Sequence, residues 1–189
     1  MRRHSALSLA ALPLALAGLT ACGAEDEKKG FAVPDGVVKQ YEVLNEEITE
    51  KGKTAESGEW TVNLITEAAE PWHEVHGGGH SAYRAPRDGE TNHIEIIPVE
   101  TATGRIVPDV PITLEVVGTD GKVVQKLDLT FYYSTFFHYA NNFSVPAGEY
   151  TLRATLGAPT FPRHGAEDEA PALVEGTTVE FKGIALGAE

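Results

Sequence analysis

Two residues with metal-binding side chains stand two positions apart in the stretch Asn92-His93-Ile94-Glu95-Ile96-Ile97-Pro98-Val99-Glu100. The stretch reads as a β-strand. Alternate residues of a strand share a face, so His93 and Glu95 point one way and Ile94 and Ile96 the other, towards a core. An imidazole and a carboxylate side by side are half of a metal site, and His138 and His164 are further imidazoles that a fold could bring to it. The competing reading is two polar residues on a wet face. A second group, His73, His76 and His80, surrounds Gly77-Gly78-Gly79. Three imidazoles in a flexible loop can hold copper, nickel or zinc, because neutral imidazole suits all three. The competing reading there is an exposed polar loop.

Catalytic patterns are missing. No Gly-x-Ser-x-Gly elbow and no phosphate-cradling Gly-rich loop before a helix occurs. His73-Glu74-Val75-His76 is one residue short of the helical His-Glu-x-x-His spacing and lies between Pro71 and Gly77, where a helix would not persist. The chain is therefore read as a binding protein, not an enzyme.

Sulfur chemistry is confined to the N-terminus. Cys22 is the only cysteine and Met1 the only methionine, which excludes an intrachain disulfide and leaves imidazole and carboxylate as ligands in the folded part. Arg2 and Arg3 precede an apolar run over residues 6–19, too short for a membrane span and typical of a signal peptide. The run ends in Leu19-Thr20-Ala21-Cys22, which resembles the lipobox of bacterial lipoproteins. That resemblance implies a signal peptide over residues 1–21, cleavage before Cys22 and lipidation of its thiol. The expected location is extracytoplasmic, anchored to the bacterial cell membrane. The formal charge of −13 makes nucleic acid a poor partner and a metal ion or cationic surface a better one.

The elements that would position these residues are mostly strands. Residues 22–36 read as a flexible tether, and residues 37–189 as a single β-sandwich metal-binding domain. Residues 37–48 are ambiguous: Val37, Tyr41, Leu44 and Ile48 have helical spacing, while Tyr41-Glu42-Val43 could open a strand. Alternation predicts strands from Trp60, over 91–99, 112–117, 123–129, from Tyr150 and over 177–181, with an aromatic run over 129–137. Thr119-Asp120-Gly121-Lys122 is a hairpin turn. Residues 68–90 and 158–172 read as long loops. Roughly six to eight short strands and almost no helix predict an all-β, antiparallel sandwich, with a closed barrel as the alternative.

The order of His93-Ile94-Glu95, His138-Tyr139-Ala140-Asn141-Asn142, Gly148-Glu149-Tyr150-Thr151-Leu152 and Phe161-Pro162-Arg163-His164 is similar to that of the Fe²⁺ transport protein family. These are periplasmic accessory proteins of high-affinity iron uptake, and they include pathogen metal-binding lipoproteins. The likeness runs from about Trp60 to Phe181. It implies an immunoglobulin-like fold, a homodimer, and a site for a divalent ion, Cu²⁺ or iron, built from His93, Glu95, His138 and His164. It further implies capture of the ion and hand-off to a membrane iron permease. Ala140 stands where the family usually has glycine, and residues 131–134 hold no sulfur where many members supply a methionine. Two other readings stay open: a copper-buffering lipoprotein without an iron role, and a surface adhesion or structural sandwich with incidental histidines.

Overall fold

The computed structural model describes residues 31–187; the expected signal peptide, Cys22 and the first part of the tether lie outside them. From Val33 on, the chain forms one compact unit. Among the described residues no helix is long and apolar enough to cross a membrane.

Helix α1 (Asp35–Lys51) resolves the ambiguous segment and shortens the expected tether, whose last two residues, Asp35 and Gly36, form its first turn. Pro34 precedes it with φ −65°, Asp35 complements the positive end of the helix dipole and Lys51 the negative end. Tyr41, Leu44 and Ile48 share a face. The helix passes straight into strand β1 (Gly52–Ser57). A Cβ on Gly52 would lie 2.7 Å from both the Ile48 Cα and the Leu64 carbonyl oxygen, so only glycine lets helix and sheet meet this closely.

Two antiparallel sheets follow. The first contains β1, β2 (Trp60–Ala68), β5 (Asn92–Glu100), β9 (Phe137–Phe143) and β8 (Thr130–Tyr133), in the order β1-β2-β5-β9-β8. The second runs β11 (Thr177–Leu186), β10 (Gly148–Leu156), β6 (Ile112–Val117), β7 (Val123–Asp128). Their facing sides enclose one core that includes Val62, Leu64, Ile94, Ile96, Tyr139, Leu114, Leu152 and Phe181. Tyr139 is satisfied inside it, accepting a 2.8 Å hydrogen bond from the Val110 N–H and donating to the Val107 carbonyl, and burial pushes its phenol pKa to about 12. Tyr150 donates to the Pro146 carbonyl at 2.8 Å, the corner contact of immunoglobulin-like sandwiches. The fold is the expected all-β, immunoglobulin-like sandwich. The hairpin at Asp120-Gly121 forms, with Gly121 at φ +79°.

The outer face of the first sheet is not wet. Helix α1 lies across it, and Leu44, with Tyr41 and Ile48, packs against Ile65, Ile97, Val99 and Phe136. With the inter-sheet core on its other side, β5 has eight of its nine residues buried. Residues 68–90, expected as a loop, instead form a third sheet, the hairpin of β3 (Trp72–His76) and β4 (His80–Arg84). Gly78 and Gly79 turn it at φ +82° and +79°, backbone angles that β-branched or bulky residues avoid.

Candidate metal centre

The period of two puts His93, Glu95 and Ile97 of β5 on the outer face, and His138, Ala140 and Asn142 of β9 beside them. The register pairs His93 with Asn142 and Glu95 with Ala140. His138 is thus one diagonal step from Glu95, and Ala140 places only a methyl group between His138 and Asn142. The wet-face alternative is excluded: His93, Glu95 and His138 are 3, 6 and 5 % exposed.

Their ligand atoms lie within 4.8 Å of one another. His93 Nε2 is 3.7 Å and His138 Nε2 3.4 Å from the same Glu95 oxygen, Oε1. Each ring turns its other nitrogen to an acceptor. His93 Nδ1 donates to Asn142 Oδ1 at 2.7 Å and His138 Nδ1 to the Phe136 carbonyl at 3.3 Å. Both Nε2 lone pairs therefore converge on a carboxylate, an arrangement that only a cation or a proton satisfies. Glu95 Oε2 is buried without a partner, and such an atom carries a desolvation cost of about 1–3 kcal/mol or more. The donor set of two neutral imidazoles and one carboxylate fits a borderline divalent ion.

The two imidazoles are electrostatically unequal. Burial opposes charge on His93, but the Glu95 carboxylate 3.7 Å away, the hydrogen bond to Asn142 and the charge of Glu70 together outweigh it and raise its pKa. Burial dominates at His138 and lowers its pKa. Of the two rings, His93 is the one whose surroundings favour the protonated form.

A second group touches the first. Glu67, the cross-strand partner of His93, and Glu70 bring carboxylate oxygens within 4.8 Å of each other and of Glu95. Burial works against the Glu67 charge, but Lys51 and a hydrogen bond shared with Glu70 hold its pKa low. Burial and that shared bond raise Glu70. Glu47 of α1 is raised by burial and by Glu95 and Glu67. Sequence reasoning missed Glu67, Glu70 and Asn142. Asn142 was accessible from period two, counted from His138, whereas Glu67 and Glu70 lie where strand alternation ends.

The structure does not bring His164 to this centre. Its loop lines a cavity of about 500 Å³ with Glu100, Arg105, Ile106, Phe161 and Glu169. Glu100 is at the far end of β5 from His93, roughly 23 Å away at about 3.3 Å per residue. Arg163 pins the loop there by donating to the Ala172 and Leu173 carbonyls, each at 2.7 Å.

The hairpin histidines do not converge either. His73 and His76 are three apart on β3 and face opposite sides, while His76 pairs with His80. His76 lies 3.9 Å from Glu74, and both are well exposed. The hairpin instead flanks the centre through aromatics. Trp72 meets Tyr132 edge-on at 5.5 Å, Tyr132 stacks on His138 at 5.7 Å, and the Arg84 guanidinium covers Trp72 at 3.7 Å.

No protein-family model and no curated protein sequence matches the chain. Solved structures do. Copper-reconstituted P19 from Campylobacter jejuni shares 19 % identity at a TM-score of 0.55, over 73 % of this chain and 97 % of that one. FetP from uropathogenic Escherichia coli strain F11, expressed recombinantly in the periplasm, gives 18 %, 0.53, 72 % and 96 %. A copper-bound variant of the same FetP gives 17 %, 0.54, 72 % and 92 %. At these identities the likeness establishes a common fold.

Proposed function

We propose that this chain is a lipid-anchored extracytoplasmic metal-binding protein that captures a divalent ion and assists iron uptake by passing it to a membrane permease. The carrying observation is the buried convergence of His93 Nε2 and His138 Nε2 on Glu95 Oε1, with the second oxygen of the same carboxylate, Oε2, left unpartnered. The copper-bound state of P19 and FetP supports a metal role for the shared fold. His93, His138 and Glu95 hold the ion, the two rings through neutral Nε2 and Glu95 through a carboxylate that offsets its charge. Glu67 and Glu70 offer hard oxygen donors beside it, which favour iron. The role is binding and release, with no group acting as a nucleophile.

A copper-buffering role without iron is the second reading. Two imidazoles favour copper(II) over iron(II) in the ordinary affinity order. Competitive titration of the metal-free domain with copper(II), zinc(II) and iron(II) tests both. One tight equivalent lost in His93→Ala supports the centre, and absence of tight binding for every ion removes it. Tight copper with no iron binding favours buffering.

A homodimer belongs to the same proposal. His164 is too far along β5 to reach the centre of its own chain, so it joins the ligand set only from a second copy. Sedimentation of the domain with and without metal tests this, with a monomer under both conditions counting against it. The lipid anchor is tested by Cys22→Ser, which is expected to move the protein to the soluble fraction.

A further inference from the structure

We propose that Asn142 is a positioning residue for the metal centre: it fixes the tautomer of His93 and straps the Glu70 backbone to it. Asn142 is 7 % exposed and lies directly across the sheet from His93. Its amide has one orientation only, and the main chain dictates it. The Glu70 N–H donates to Asn142 Oδ1 at 3.2 Å, and Asn142 Nδ2 donates to the Glu70 carbonyl at 2.7 Å. A backbone N–H can only donate and a carbonyl can only accept, so the side-chain oxygen and nitrogen cannot be exchanged. Nδ2 also lies 3.4 Å from Glu90 Oε2, a second acceptor.

The consequence falls on His93. Asn142 Oδ1 faces His93 Nδ1 at 2.7 Å, and an amide oxygen has no proton to give. Nδ1 must therefore carry the hydrogen, and Nε2 must present a lone pair in the neutral ring. That lone pair points to Glu95 and His138, where the ion would sit. The outer hydrogen bond of a ligating histidine sets which nitrogen is free. The same amide grips both polar groups of Glu70, so the segment bearing the neighbouring carboxylates is tied to the ring they adjoin. Without the acceptor, the proton moves to Nε2, Glu95 Oε1 accepts it, and the ligand position is blocked.

The tautomer assignment stands on hydrogen bonds alone; its effect on affinity rests on the metal-centre reading above. The test separates them. Long-range proton–nitrogen NMR correlations of the metal-free protein, above the His93 pKa, read the tautomer directly. Wild type is expected to show Nδ1–H at His93. Asn142→Leu is expected to switch it to Nε2–H and to weaken copper(II) binding by about 10- to 100-fold. Asn142→Asp keeps an acceptor facing Nδ1 but cannot donate to the Glu70 carbonyl. It is expected to retain the Nδ1–H tautomer while amide exchange at Glu70 accelerates. An Nε2–H ring in wild type overturns the proposal, even if the leucine variant does not fold. So does an Nδ1–H ring that persists in folded Asn142→Leu. A switched tautomer with unchanged copper affinity upholds the positioning role and removes the metal centre instead.

Discussion

Two regions of this molecule carry histidines in comparable numbers and use them differently. On β5 and β9 the rings are buried, each Nδ1 has an acceptor, and both Nε2 atoms face one carboxylate oxygen. On the β3–β4 hairpin, three rings are divided between two faces around a triple-glycine turn. Imidazole is the same ligand in both. What differs is the order already imposed before an ion arrives. Fixing one flexible backbone residue costs about 1–2 kcal/mol, so the hairpin must spend binding energy on geometry that the sheet supplies in advance.

The sharpest way to break this comparison is to remove ligands from each side. His93→Ala or His138→Ala is expected to weaken copper(II) binding by roughly a hundredfold or more, beyond the 10–100-fold range typical of outer-shell changes. The triple change of His73, His76 and His80 to Ala is expected to alter it by less than about threefold. Competitive titration reads both, and the reverse ranking would sink the assignment of the centre.

Next in size is the pH response. His93 has a raised pKa, so protons compete with metal from above the ordinary value of about 6.5 downwards. One displaced proton predicts about a tenfold loss of affinity per pH unit below that point. Isothermal titration from pH 8 to pH 5 measures the slope, and a flat profile would mean that His93 is not a ligand. For the metal-free fold, the raised His93 pKa contributes stability that is present below pH 6.5 and lost as pH rises through its folded value. The lowered His138 pKa acts with the opposite sign, withdrawing stability as pH falls through 6.5.

Glu95→Gln sharpens the same point. Glu95 is the largest of the contributions that together outweigh burial at His93, so its removal is expected to bring the His93 pKa down, by NMR titration. An unmoved His93 would show that the carboxylate is not coupled to the ring. The smallest effect is expected from Gly78→Ala. Its φ of +82° costs a non-glycine residue about 1–2 kcal/mol, which should loosen the hairpin in amide exchange and leave copper affinity unchanged.

Strand alternation made β5 legible, with His93 and Glu95 on one face, and the turn at Asp120-Gly121 was equally readable. Their burial was not, because it depends on α1, whose apolar spacing at Tyr41, Leu44 and Ile48 competed with a short β-like run. The hairpin was hidden by glycine, proline and charge, which mark turns and loops as readily as a short two-stranded ribbon. The position of His164 was not legible. Its loop is anchored by Arg163 at the opposite end of β5, a distance that no local pattern records. Asn142 sat in a quoted motif without a role, since its partners, the Glu70 main chain and the His93 ring, are joined only by the sheet register.

Helix α1 roofs the outer face of the first sheet, and Leu44 is its only fully buried residue. An element held by so few apolar side chains opens locally at a fraction of the global unfolding free energy. Opening of α1 therefore has a clock of its own, separate from any affinity at the sheet beneath it, and amide protection along residues 41–48 reads that clock.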